Sequence, residues 1–136
     1  MITGFDAVDD LVSRHPQAHR VFAVDSAERL RLLLSMPGWL VMSDTGCWVA
    51  LENTGVSHAL HWFCPGGVNI AAIRLMLGHA FQSGVESVHG TTIRGHPYAR
   101  EAAVLARALG AVRDGGKLVL TAERFKVYNA GKARQE

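Results

Sequence analysis

The fold is decided by the stretch Val56–Thr92, which reads VSHALHWFCPGGVNIAAIRLMLGHAFQSGVESVHGTT. Its centre predicts a helix over Asn69–Ser83, because apolar residues recur there at helical spacing. Asn69 is suited to cap the start of this helix, and Gly84 is suited to end it. A strand, a helix and a second strand in this order predict a βαβ unit with parallel strands. The two segments predicted as strands are Val56–Phe63 and Val85–Thr92.

Working outward, the sequence predicts helices and short strands on both sides of this unit. Proline and glycine mark most of the boundaries between them. The predicted elements before the unit are the helix Phe5–Arg14, the strand Val21–Val24, a helix capped by Ser26 with buried Leu30, Leu33 and Leu34, and the strands Trp39–Ser43 and Cys47–Glu52. Those after it are a helix opened by His96-Pro97 and closed by Gly110, and a hairpin of Ala111–Arg113 and Lys117–Ala122.

This order predicts an α+β fold with a mixed, mostly antiparallel sheet flanked by helices. The chain has 136 residues, of which 49% are apolar and 19% charged, as expected for one folded domain. We expect this domain to span residues 1–128 and residues 129–136 to form a frayed tail.

Charge and cysteine content exclude several classes of function. The net charge is +2 and the basic residues are dispersed, so we expect no nucleic-acid partner. We find no segment that predicts a membrane span and no signal pattern at the N-terminus. Cys47 and Cys64 are too few for a disulfide scaffold, which favours a cytoplasmic protein. The seven histidines show no spacing typical of a metal site.

The junction Cys64-Pro-Gly-Gly67 leads directly into the predicted helix. Glycine allows a ligand to approach the backbone closely, and free N–H groups at a helix start favour an anion such as a pyrophosphate. The same glycine pair is also typical of a simple tight connection. Neither the P-loop motif nor the Rossmann glycine motif is present.

Three stretches resemble the GNAT family of acetyl-CoA-dependent N-acetyltransferases, including its bacteriophage-type members. His61-Trp-Phe-Cys-Pro-Gly-Gly67 is similar to the family's fourth strand and pyrophosphate loop, and Asn69–Phe81 to the helix that follows. Val88–Thr92, with His96-Pro-Tyr-Ala-Arg100 and Ala108-Leu-Gly-Ala111, is similar to its fifth strand and next helix. The resemblance covers roughly Val21 to Glu123 and implies a splay between the fourth and fifth strands of the sheet.

The resemblance also implies acetyl-CoA as co-substrate and an unknown amine as acceptor. Backbone groups of Phe63 and Cys64 would face the pantetheine arm, and His96 would contact CoA where the family uses asparagine. The residues implied to hold the pyrophosphate are Gly66, Gly67, Val68, Asn69 and Ile70, and Ala71, at the family's second loop glycine, is implied to bind the cofactor with them.

Three residues are candidates for proton transfer in such a reaction. Glu52 and His61 are candidate bases, and Tyr98 is a candidate acid for the departing thiolate. Each also has a simpler interpretation: Glu52 as a solvated turn residue, His61 as a packed strand histidine, and Tyr98 as a residue packed at a helix start. Cys64 is a candidate nucleophile but is more typical of a small buried residue.

The family pattern is not matched throughout, which keeps other functions open. Gly66 stands where the family has arginine or glutamine, Asn69 stands at its first loop glycine, and alanine takes the place of its tyrosine. These departures favour, as an alternative, a catalytically inactive GNAT-like binding or virion-associated protein. A third hypothesis is a module that binds a different anion or nucleotide. A phage-encoded chain would act in the host cytoplasm or the virion, and exposed strand edges are compatible with a homodimer.

Overall fold

A computed structural model of the chain describes residues 1–91 and 99–135, with side chains described through residue 90 and over 99–130. It shows a mixed α+β fold with five α-helices and a seven-stranded sheet among these residues. The strands are β1 Ile2–Thr3, β2 Trp39–Asp44, β3 Cys47–Asn53, β4 His58–Phe63, β5 Ser87–Thr91, β6 Val112–Asp114 and β7 Lys117–Thr121. The helices are α1 Phe5–Arg14, α2 Ala27–Leu34, α3 Ile70–Gln82, α4 Ala99–Leu109 and α5 Ala122–Gln135.

The sheet has the order β1-β2-β3-β4-β5-β7-β6 and is antiparallel except at its centre. There β4 and β5 run parallel, joined by α3, which confirms the predicted βαβ unit. The hairpin of β6 and β7 is also confirmed, and β7 rather than β6 lies beside β5. No helix of the described ranges is long and apolar enough to cross a membrane.

Helices cover both faces of the sheet and bury two clusters of apolar side chains. On one face α3 and α4 pack against β2, β3, β5 and β7, with Val49, Leu51, Ile73 and Leu77 at the centre of the cluster. On the other face α1 and α2 pack against Val41, Trp48 and Ala50. The second cluster covers β2 and β3, which leaves the same face of β4 and β5 more accessible.

The predicted helix caps are confirmed by hydrogen bonds. The Ser26 hydroxyl accepts the N–H of Arg29 at 3.2 Å, and the side-chain oxygen of Asn69 accepts the N–H of Ala72 at 3.1 Å. Gly84 has a φ of +108° after α3, a conformation that glycine adopts without strain. Local side-chain chemistry therefore sets the limits of these helices.

Two predictions for the first 30 residues are wrong. Val21–Val24 is not a strand but follows the short 3₁₀ helix Pro16–Arg20, where His19 and Val24 exchange hydrogen bonds of 2.9 and 3.1 Å. These local bonds outweigh the β propensity of a four-residue run. The apolar spacing of Phe5, Val8, Leu11 and Val12 that predicts α1 also places Phe5 on its buried side, but Phe5 is 69% exposed and Ala7 is buried instead.

Several predicted boundaries shift toward the sheet centre. Val56 is 95% exposed in the turn before β4, so that strand begins at His58. Val85 belongs to the turn that follows α3, because its N–H donates to Ala80 O at 3.1 Å, and β5 begins at Ser87. The predicted helix opening at His96-Pro97 lies outside the described residues.

The frayed tail predicted from residue 129 is wrong at its start, because α5 continues through it. Asn129 is only 4% exposed. Its side chain accepts the Nε–H of Arg74 at 2.9 Å and donates to Leu109 O at 2.9 Å and Phe125 O at 3.0 Å. Although the composition of this segment is polar, these hydrogen bonds of Asn129 dock the helix on its neighbours.

Candidate functional site

The parallel strands β4 and β5 separate soon after they meet. Their paired residues are His58 with Val88 and Ala59 with His89, and among the described residues no further pair joins these strands. Beyond this point β4 stays paired with β3 as far as Phe63, and β5 stays paired with β7 as far as Thr91. One edge of β4, from Leu60 onward, therefore faces a split in the sheet.

A cavity of about 260 Å³ lies in this split. Its wall is largely apolar and comes from α3, α4, β5 and β7, with Leu77, Leu105 and Leu118 among its residues. Two imidazoles, of His61 and His89, also line it. The cavity thus joins an apolar space beneath the helices to two titratable groups on the strands.

A second, more open concavity of about 600 Å³ lies at the Gly66-Gly67 loop. Arg14 and His15 from the end of α1 line it together with the loop and the first residue of α3. Gly67 has a φ of +105°, and a Cβ at either glycine would meet no atom within 4 Å. The backbone of this loop is therefore open to a ligand, next to a helix start and an arginine.

The residues predicted to bind a pyrophosphate gather at this second concavity. Those that line it are Gly66, Gly67, Val68, Asn69 and Ile70, whereas Ala71 is exposed on the first turn of α3. Trp48 also lines it, and its buried indole N–H has no hydrogen-bond partner among the described residues. The two cavities share no lining residue, so the structure keeps the loop and the split as separate spaces.

Phe63 and Cys64, predicted to face the pantetheine arm, are half-buried and line neither cavity. The Phe63 ring lies 5.4 Å from the His15 ring and 6.1 Å from the Trp48 ring, between centroids. Cys64 packs against the larger apolar cluster. Their contribution to a site would come from the backbone edge of β4 and not from these side chains.

Glu52 and His61, predicted as separate candidates, lie together. Their Oε1 and Nε2 atoms are 3.7 Å apart. The His61 ring also lies 5.3 Å from that of Trp39 and 5.7 Å from that of Phe22, between centroids. His61 is thus held between two aromatic rings while it faces a carboxylate. Tyr98 and His96, the other predicted side chains, lie outside the described residues.

Cys64 is poorly suited to be a nucleophile. Burial raises the pKa of its thiol to about 12, with smaller upward contributions from the hydrogen bond and charge of Cys47, while the backbone of Asn69 lowers it. Because the thiolate is the reactive form, this thiol stays protonated and inert at neutral pH.

We expect Cys64 in the folded protein to react with iodoacetamide at pH 8 at least about 100-fold more slowly than in urea. Peptide-resolved mass spectrometry of timed samples measures both rates on the unaltered chain. Equal rates in the folded and unfolded protein would contradict the assignment of Cys64 as a buried, protonated thiol.

His89 is a feature that sequence reasoning missed. The sequence offers it only as one of seven histidines without metal spacing, and no group of three or more histidine, cysteine or acidic side chains suited to a metal exists among the described residues. Burial lowers its pKa most, and the charges of Lys117, His61 and His58 lower it further. The signal that would have found it is its place opposite Ala59, which depends on strand register.

Comparison with known proteins gives no independent assignment for this site. No protein-family model matches the chain, and no match to it was found among the curated proteins or the solved structures.

Proposed function

We propose that this protein is an acyl-CoA-dependent N-acyltransferase with a GNAT-like arrangement, using acetyl-CoA as donor and an amine as acceptor. The observation that carries the proposal is the split between β4 and β5 beyond the Ala59–His89 pair. Unpaired backbone groups along an open strand edge bind extended chains by adding hydrogen bonds. The pantetheine arm of CoA is such a chain, with two amide groups.

The surroundings of the split support this donor. The apolar wall of the 260 Å³ cavity suits the methylene groups and the thioester of an acyl-pantetheine. The Gly66-Gly67 loop at the other end of β4 offers backbone N–H groups and the start of α3 for the pyrophosphate. Phe63 and Cys64 would supply backbone groups between the two.

The polar groups at the inner end of the split support acyl transfer to an amine. The Glu52–His61 pair supplies a carboxylate and an imidazole beside the cavity. Tyr98 remains the proposed acid for the CoA thiolate, and His96 the proposed contact to CoA. A catalytically inactive binding or virion-associated protein remains the alternative, favoured by Gly66 and Asn69 at loop positions where the GNAT pattern has other residues.

Ligand-induced stabilisation tests the donor site. We expect saturating acetyl-CoA and CoA to raise the Tm by several degrees, and ATP to leave it unchanged, because a ligand at about 100 times its Kd adds about 2.7 kcal/mol. The substitution Ala106→Phe fills the cavity from α4 and should abolish the shift. Ala103→Phe places the same ring on the exposed side of α4 and should preserve it.

The absence of a shift with both acetyl-CoA and CoA would overturn the proposal. A shift that Ala106→Phe and Ala103→Phe leave equally intact would place the ligand elsewhere on the molecule. Binding of acetyl-CoA without turnover across a broad panel of amines would favour the inactive alternative.

A further inference from the structure

Four residues form a straight row across four neighbouring strands. Glu52 of β3 is paired with Ala59 of β4, Ala59 with His89 of β5, and His89 with Val119 of β7. Side chains in one such row point to the same face of a sheet. Because strands lie about 4.8 Å apart, the Cα atoms of Glu52 and His89 are about 10 Å apart, with only a methyl group between them.

This row lies on the face that α1 and α2 cover only in part. Trp48 and Ala50, which alternate along β3 with residues packed on the opposite face, contact those helices, and Glu52 continues the same side of the strand. The Glu52 side chain is 44% exposed, and Ala59 and His89 are half-buried. The row therefore forms a notch, floored by Ala59, that is open to an incoming molecule.

The notch opens into the split between β4 and β5. Ala59, His61 and His89 line the same cavity as Leu77 and Leu105, which belong to the opposite face of the sheet. The Ala59–His89 pair is the last one before β4 and β5 separate. A donor lying in the split with its phosphates toward Gly66-Gly67 would therefore bring its thioester to this notch.

The two titratable ends of the notch have complementary chemistry. A carboxylate attracts a protonated amine, and an uncharged imidazole accepts a proton near neutral pH. His61 faces Glu52 at 3.7 Å and lies between Phe22 and Trp39, so it is suited to position the carboxylate rather than to meet the acceptor. His89 lies on the other side of the Ala59 floor.

We propose that the notch binds the acceptor, a cationic primary alkylamine, with Glu52 holding its ammonium group and His89 taking up its proton. This assignment rests on the proposed acyltransferase function. His89 and Glu52 are catalytic residues in it, and His61 is a positioning residue.

The charged groups around His89 favour its role. Those on the neighbouring strands that act on it are Lys117 of β7, His61 on the same face of β4 and His58 on the opposite face of β4, with Glu52 two strands away. Burial first, and then these neighbours, lower the pKa of His89 below its ordinary value near 6.5. The imidazole is therefore uncharged at pH 7 and becomes protonated only as the pH falls below that value.

The transfer step is balanced without any further reactant. His89 removes one proton from the ammonium group, and the amine lone pair then attacks the thioester carbonyl carbon. The C–N bond forms, the C–S bond breaks, and CoA leaves as a thiolate. The second proton on the nitrogen passes to the thiolate, directly or through the proposed acid Tyr98, which leaves an amide, and His89 returns its proton to solvent.

Steady-state kinetics with acetyl-CoA test the two roles separately, with 1,4-diaminobutane as a cationic probe and aniline as a neutral one. We expect Glu52→Gln to raise KM for diaminobutane at least about 10-fold and for aniline less than about 2-fold. His89→Gln should lower kcat for diaminobutane at least about 100-fold, lower kcat for the already neutral aniline far less, and remove the decline of kcat/KM for diaminobutane below pH 6.5. Matched controls on exposed or remote positions are Glu86→Gln and His79→Gln, which should behave as the unaltered protein.

A binding measurement separates this inference from the proposed function. Diaminobutane should shift the NMR signals of the His89 imidazole in the unaltered protein, and Glu52→Gln should remove this response without acetyl-CoA being present. A Tm shift with acetyl-CoA but no response of His89 to the amine would overturn the inference alone. A response of His89 without any Tm shift from acetyl-CoA would overturn the proposed function and leave the amine site standing.

Discussion

Gly110→Ala is expected to destabilise the fold by about 3 kcal/mol or more, because two penalties add at this position. Gly110 ends α4 with a φ of +87°, where a residue with a Cβ costs about 1–2 kcal/mol. A Cβ there would also lie 2.5 Å from Cγ and 2.6 Å from Cδ1 of Tyr128. Relieving this contact requires α5 to move, and overpacking of this kind typically costs about 1–3 kcal/mol.

Urea denaturation followed by circular dichroism measures this loss. Gly84→Ala is the matched control, since Gly84 has a φ of +108° but open space around its Cα, so only the backbone penalty of about 1–2 kcal/mol applies. The double variant Gly110→Ala/Tyr128→Ala should lose less stability than the sum of the two single losses, since the clashing ring is then absent. Equal effects of Gly110→Ala and Gly84→Ala would contradict the close packing of α5 on α4.

Asn129→Ala is expected to lower the free energy of unfolding by about 3 kcal/mol, the second largest stability effect that we predict for a single substitution. The side chain of Asn129 bridges three elements: it accepts from Arg74 of α3 at 2.9 Å and donates to Leu109 O of α4 at 2.9 Å and Phe125 O of α5 at 3.0 Å. Arg74 and Asn129 are 9% and 4% exposed, so water does not readily replace these bonds. Hydrogen bonds of charged groups contribute about 1.5–3 kcal/mol each.

Asn53→Ala is the control for Asn129→Ala. Asn53 is exposed and accepts one hydrogen bond, from the N–H of Gly55 at 2.8 Å, so its loss should cost less than about 1 kcal/mol. The difference is measured from urea midpoints with m-values compared between variants. Equal midpoints for the two variants would show that the end of the chain is not docked, as the sequence alone suggested.

Both effects arise where α5 closes over the end of α4. Helices leave their last carbonyl groups without intrahelical partners, and α5 supplies donors to them. The Tyr128 hydroxyl donates to Arg107 O at 3.2 Å, Arg124 Nε donates to Gly110 O, and Asn129 donates to Leu109 O. A segment that looks too polar to pack is therefore held by these hydrogen bonds together with the packing of Phe125 on the larger apolar cluster.

The elements with strong local signals were predictable from the sequence. The bounds of α1, Phe5–Arg14, follow from helical spacing that ends before His15-Pro16, and α3 follows from its apolar stripe and the Asn69 cap. Elements whose stability depends on contacts with distant parts of the chain were not predictable from the sequence. The strand β1 exists only because Ile2 and Thr3 pair with β2, and α5 is docked by the hydrogen bonds of Asn129 to α3 and α4.

The candidate site likewise has one part that local sequence predicts and another that depends on contacts between distant segments. The Gly66-Gly67 loop and the start of α3 were recognised because a glycine pair before a capped helix is a signal within a few residues. The contact between Glu52 and His61 could not be predicted, although both residues are candidate bases in the sequence, because it requires β3 and β4 to align in one particular register. His89 was missed for the same reason.

The sequence by itself determined the class of the fold, the parallel βαβ unit, most helix limits and the glycine loop before α3. Each of these depends on periodicity or on chemistry between near neighbours in the chain, which a linear reading captures. Only the tertiary structure decided that β4 and β5 separate after two residue pairs, that Glu52, Ala59 and His89 fall in one row, and that α5 docks. Strand register and helix docking are set by contacts between segments far apart in the chain, and a shift of one residue would move every side chain of a strand to the other face.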